Sequence, residues 1–142
     1  MLKLLIAVDG SAHAQRAIEA AARLQPLTTG LDVVLVNVRD LPIYAAQFAP
    51  LDVHAVELSL QQQQSTVLGQ ALDQAHQAGL KQVRTQAEVG LTAPEIARAA
   101  TDLGVDMILI GTHGRGALGG LLLGSVAQRV VHLATAPVLL VK

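Results

Sequence analysis

The chain has 142 residues, and a hydrophobic content of 51% is ample for one core, so the expectation is a single domain over residues 1–142. Charged residues make up 15% and the formal net charge is −1, which argues against wholesale disorder and leaves no field to attract nucleic acid. With no cysteine, no tryptophan, one tyrosine and one phenylalanine, disulfides, thiolate catalysis, Cys-based zinc sites and base-stacking platforms are excluded.

Leu4 to Val8 is a short apolar run ended by Asp9 and Gly10. It is too short for a signal-peptide core, and no apolar run approaches a bilayer span, so no membrane partner and a cytoplasmic location are expected. The run fits a strand covered on both faces, as in a parallel sheet. Ser11 suits the N-cap of a helix from Ala12 to Leu24, in which Ala14, Ala17, Ile18 and Ala21 share one face. Leu31 to Val38 reads as the second strand, and Asp40 to Pro50, with two prolines and no period, as a loop. A polar helix follows from His54 to Ala78, stopped by Gly79, with Gln61 to Gln64 on a solvated face. Gln82 to Val89 alternates weakly and reads as the third strand. Thr92-Ala-Pro-Glu95 is a capping-box pattern opening a helix from Ile96 to Leu103. Met107 to Ile110 is the fourth strand, Val126 to Ala134 the last helix, and Pro137 to Val141 the fifth strand. This alternation predicts an α/β fold, a doubly wound parallel sheet with right-handed crossovers. Ligands of such sheets sit at the carboxyl ends of strands, where Asp9 and Gly111 both fall.

The segment richest in chemical meaning is Gly111-Thr-His-Gly114, nine further residues, then Gly124-Ser125. Glycines between a strand and a helix start let the backbone turn and approach a ligand closely. The free N–H groups and the positive end of the helix dipole then face an anion, so the loop predicts phosphate binding rather than a plain connector. Ser125 can cap the helix or donate its hydroxyl to a phosphate. Arg115 can neutralise phosphate charge or face solvent. Gly114-Arg-Gly116-Ala-Leu-Gly119 formally matches the dinucleotide pattern, but it follows the fourth strand and Leu139 stands where an acid is needed. A P-loop needs a Lys directly after its last glycine, but the only lysines are Lys3, Lys81 and Lys142, so the P-loop route to ATP hydrolysis is missing. Asp9 can bind a ribose hydroxyl or a Mg²⁺-bound water, or simply form an Asx-turn with Gly10 and Ser11. The five histidines lack metal-ligand spacing and read as surface or loop residues, His113 within the anion loop being the exception to watch. Ser125 is not in a G-x-S-x-G elbow, so a hydrolase triad is poorly supported.

Taken together, Ile6-Ala-Val-Asp9-Gly-Ser11, Leu35-Val-Asn-Val38, the spaced glycines at 111–125 and Ala136-Pro-Val-Leu-Leu-Val-Lys142 resemble the universal stress protein family over essentially the whole chain. The glycine spacing is similar to the ATP-binding branch. The resemblance implies a five-stranded sheet of order 3-2-1-4-5 in an adenine nucleotide alpha-hydrolase-like, three-layer α/β/α sandwich. It implies ATP as ligand, with Asp9 near the ribose and Mg²⁺, and the Val38 backbone meeting the adenine with Ala7 nearby. Gly111, Gly114, Gly124 and Ser125 would hold the phosphates, with Arg115 and Gly116 in the same loop. It also implies a homodimer through the last strand, since an apolar edge at 137–141 is an aggregation hazard that two-fold pairing removes.

Three functions follow in order. The first is a nucleotide-dependent stress-response module acting on an unnamed regulatory partner. The second is a slow ATPase or nucleotide-using enzyme on the related fold, weakened because Asp9-Gly-Ser-Ala-His13 is neither a HIGH-type nor an SGGxDS loop. The third is a nucleotide-free dimeric scaffold, against which the intact glycine spacing argues.

Overall fold

A computed structural model describes residues 1–41, 52–113 and 123–142. The elements in chain order are β1 (Leu2–Ala7), α1 (Ala12–Leu24), a short 3-10 turn (Gln25–Leu27), β2 (Leu31–Arg39), α2 (Val53–Gln77), β3 (Gln82–Val89), α3 (Thr92–Leu103), β4 (Met107–Gly111), α4 (Ser125–Leu133) and β5 (Val138–Val141). All neighbouring strands pair in parallel, in the order β3-β2-β1-β4-β5. This is the α/β architecture and strand order expected from the sequence and its resemblance.

Strand side chains alternate between two faces, and each face has its own core. Leu4, Ile6, Val33, Leu35 and Leu109 pack under α1 and α2, against Ala14, Ala17, Ile18, Leu68 and Ala71. Leu5, Val34, Val36, Ile108 and Ile110 pack under α3 and α4, against Ile96, Ala99, Ala100, Ala127 and Val130. Burial on both sides explains why the central strands read as unbroken apolar runs. Each fully buried Leu, Ile or Val contributes about 1.5–3 kcal/mol of transfer free energy. The alanines on the inner helix faces let those helices lie close to the sheet.

Past β1, the Val8 N–H still donates to the Val36 carbonyl at 2.9 Å, so the ladder runs one residue beyond the strand. Gly10, at φ 82°, then turns the chain into α1 in a backbone region that L side chains rarely adopt. Ser11 caps α1 as expected, its Oγ accepting from the Ala14 N–H at 3.2 Å.

Three local expectations are corrected. The Thr92–Glu95 capping box does not form: α3 already includes Thr92, Leu91 is the N-cap, and the Glu95 N–H donates to the Leu91 carbonyl at 3.0 Å. The backbone closes the turn itself, and the Glu95 carboxylate pairs with Arg98. Ser125 does not cap α4, because Gly124 is the N-cap and Ser125 is the first helical residue. The four glutamines are not all solvated: Gln61, Gln62 and Gln63 are exposed, but Gln64 is buried on the face shared with Leu68, Ala71 and Ala75.

Candidate functional site

β1 lies between β2 and β4, so the chain leaves the carboxyl ends of β1 and β4 toward opposite sides of the sheet. Ligands of doubly wound sheets occupy the crevice that such a reversal opens. A cavity of about 720 Å³ lies there, within the usual range for small-molecule sites. Ala7, Val8 and Asp9 line it from β1, Val36 to Asp40 from β2, Gly111 and His113 from β4, and Gly124 to Ala127 from α4. Of the expected site residues, Ala7, Asp9, Val38, Gly111, Gly124 and Ser125 come together round this one cavity. Gly114, Arg115 and Gly116 lie outside the described residues, as does residue 42 onward of the expected Asp40–Pro50 loop.

At the α4 end, the Gly124 N–H is taken by the Thr112 carbonyl at 2.7 Å, and the Gly124 carbonyl accepts from Gln128. The N–H groups of Ser125, Val126 and Ala127 precede any intrahelical acceptor, and among the described residues no side chain caps them. They line the cavity together with the positive end of a nine-residue helix. Asp9, on the β1 side, accepts from the Ser11 N–H through Oδ1 at 2.9 Å. The Asx-turn therefore exists, and the same carboxylate lines the cavity.

Gly111 has a reason beyond ligand approach. A Cβ there would lie 2.6 Å from His13 Cβ and 2.9 Å from the His13 carbonyl carbon. The missing side chain lets the first turn of α1 press against the end of β4.

At the β2 end, Asn37 Nδ2 donates to the Val8 carbonyl at 2.7 Å and holds the two strand ends together. Gln64 Nε2 donates to the carbonyls of Asn37 and Glu88, both at 2.9 Å. This amide ties α2 to β2 and β3 and forms part of the cavity wall beside Val38. Arg39 also lines the wall, and Glu57 of α2 holds its guanidinium in a two-pronged ion pair. Sequence reasoning missed Gln64 and the Arg39–Glu57 pair. The i, i+4, i+7 and i+11 spacing of Gln64, Leu68, Ala71 and Ala75 would have put Gln64 on the apolar stripe; the ion pair joins separate elements and has no local signal.

His13 was expected at the surface or in a loop. It packs instead against His113, with ring centroids 5.0 Å apart and planes tilted by 51°. His113 Nδ1 lies 3.0 Å from Thr112 Oγ1. Burial, then the nearby Arg16 and His113 charges, push the His13 imidazole below its ordinary pKa against the opposing pull of Asp9. Among the described residues, no three or more His, Asp or Glu side chains converge as a metal cluster. No helix among them is long and apolar enough to cross a membrane.

The family model of the universal stress protein family matches residues 1–142. A universal stress protein encoded 3′ of a QAH/OAS sulfhydrylase in Thermus aquaticus is 34% identical over 140 residues, spanning 98% of this chain and 97% of that protein. The solved structure of protein MJ0577 superposes with a TM-score of 0.83 at 29% identity, covering 99% of this chain and 94% of that one. An Arabidopsis thaliana family member solved with AMP bound shares the fold, with a TM-score of 0.71 at 20% identity and coverage of 100% and 92%. Further structures of the same fold were solved in complex with cAMP or dAMP.

Proposed function

This chain belongs to the universal stress protein family, and from that premise we propose that it is an ATP-binding member acting as a nucleotide-dependent regulatory module. The observation that carries the reading is the N-terminus of α4, which has no side-chain cap among the described residues and opens on the cavity that Val38 and Asp9 line. Adenine lies against the Val38 backbone with Ala7 nearby, and the ribose lies toward Asp9. The phosphates meet Gly111, Gly124 and Ser125, with Gly114, Arg115 and Gly116 of the same loop. Relatives of the same fold with AMP, cAMP or dAMP bound support an adenine nucleotide.

The charges of the described residues favour a cation with the nucleotide. Asp9 and Asp40 line the cavity, and the guanidinium of Arg39 is already engaged by Glu57. Asp9 is a hard oxygen donor suited to Mg²⁺ or its waters, and phosphates and water would complete the shell. Mg²⁺ would supply neutralisation of the phosphate charge. The protein functions as a homodimer in this reading, paired through residues 137–141.

Isothermal titration with ATP, AMP and adenosine, with and without Mg²⁺, tests the proposal. ATP is expected to bind once per chain, more tightly with Mg²⁺, and Gly124→Val is expected to abolish binding in a folded protein. The absence of both heat and a thermal shift at millimolar ATP would overturn it.

A further inference from the structure

The His13–His113 pair has chemistry that nucleotide binding leaves unused. The two residues are 100 positions apart in sequence, yet their rings meet where α1 crosses the end of β4. Gly111 makes the meeting possible, since only its bare Cα leaves room for the His13 backbone. Among the described residues, each ring carries one buried nitrogen with no hydrogen-bond partner, Nδ1 of His13 and Nε2 of His113. A buried polar atom left unpaired is costly, so two at one contact need a reason.

We propose that His13 and His113 form a two-imidazole site for a divalent transition metal of the zinc, cobalt or nickel type, separate from any Mg²⁺ carried with nucleotide. The spacing fits. A metal about 2.0–2.1 Å from each ligating nitrogen sits about 3.2 Å from each ring centroid, and at a tetrahedral angle the centroids then lie about 5.2 Å apart. The observed separation is 5.0 Å. The outer atoms fit as well. His113 Nδ1 lies 3.0 Å from the Thr112 hydroxyl, and an N–H there directed at Thr112 leaves the lone pair on Nε2, the arrangement typical of ligating histidines.

The electrostatics divide. Arg16 and the positive end of α1 oppose a cation, while Asp9, close enough to pull on the His13 charge, favours one. Imidazole nitrogen suits zinc, cobalt and nickel but not magnesium, which prefers oxygen. With two protein ligands, the remaining positions fall to water.

Co²⁺ added to nucleotide-free protein is the test, so its outcome does not depend on whether the cavity takes ATP. Visible ligand-field bands are expected, displaced by Zn²⁺ and not by Mg²⁺. His13→Asn and His113→Asn should each weaken Co²⁺ binding by about ten-fold or more, whereas His54→Asn, His76→Asn and His132→Asn should not. A readout on the unaltered chain guards against variants that fail to fold: Co²⁺ should shift the imidazole proton resonances of two of the five histidines directly. Absent bands at millimolar Co²⁺, bands that survive in folded His13→Asn and His113→Asn proteins, or direct shifts at other histidines would each overturn the proposal.

Discussion

Replacing Gly111 with Ala tests how α1 and β4 are fitted together. The added Cβ would stand 2.6 Å from His13 Cβ, 2.9 Å from its carbonyl carbon and 3.0 Å from its carbonyl oxygen. Comfortable carbon–carbon contact is about 3.5–4.0 Å, so the overlap with His13 Cβ is about 1 Å. Two of the three opposing atoms are backbone, so no rotamer change relieves them. The first turn of α1 must shift, although Ser11 caps it and Ala14, Ala17 and Ile18 bury it. Gly111 is not among the glycines with positive φ, so the whole cost comes from overlap and none from backbone strain. Overpacking of this kind costs about 1–3 kcal/mol. A chain of this size has an unfolding entropy of roughly 0.3 kcal/mol per kelvin near its midpoint, which converts that cost to a Tm lower by about 3–10 °C. Differential scanning calorimetry without ligand measures it directly. Gly69→Ala is the matched control, because nothing outside its own stretch of helix lies within 4 Å of its added Cβ among the described residues and α2 continues through it. It should stabilise by about 0.5–1 kcal/mol. A Gly111→Ala protein melting at or above the wild-type temperature would refute the packing argument.

Gln64→Leu keeps the volume but leaves the Asn37 and Glu88 carbonyls without their donor, a loss of about 2 kcal/mol or more by chemical denaturation. Gln64→Glu should be worse at neutral pH, since a carboxylate offers those carbonyls no proton, and its deficit relative to wild type should shrink as acid protonates it. For assembly, the carbonyls of Pro137 and Val141 face β4, so strand alternation turns the Val138 and Leu140 N–H groups outward. Leu140→Pro should therefore dissociate the proposed homodimer while β4–β5 pairing persists. Sedimentation equilibrium reads this, and a wild-type monomer at tens of micromolar would refute the dimer.

Much of the fold was legible locally. The run of buried strands, the Ser11 cap and the alanine face of α1 are statements about neighbours within a few residues, and α1 and β3 begin and end where their patterns do. The strand–glycine loop–helix order is also the local pattern behind the proposed anion site, because that sequence of elements brings free N–H groups and a helix dipole together. Other features depended on proximity that no local pattern encodes. Gln64 sits in a run of four identical residues, and only the docking of α2 on β2 and β3 selects which one turns inward. Thr92 and Glu95 had the right spacing for a capping box, but the backbone completed the turn first. Gly111 read as a glycine meant for a ligand, yet the atoms nearest its missing side chain belong to His13. His13 and His113 became partners only because β1 and β4 are adjacent in the sheet, which carries the start of α1 across the end of β4. Local periodicity determined the elements, and strand order determined which residues from distant elements share the same few ångströms.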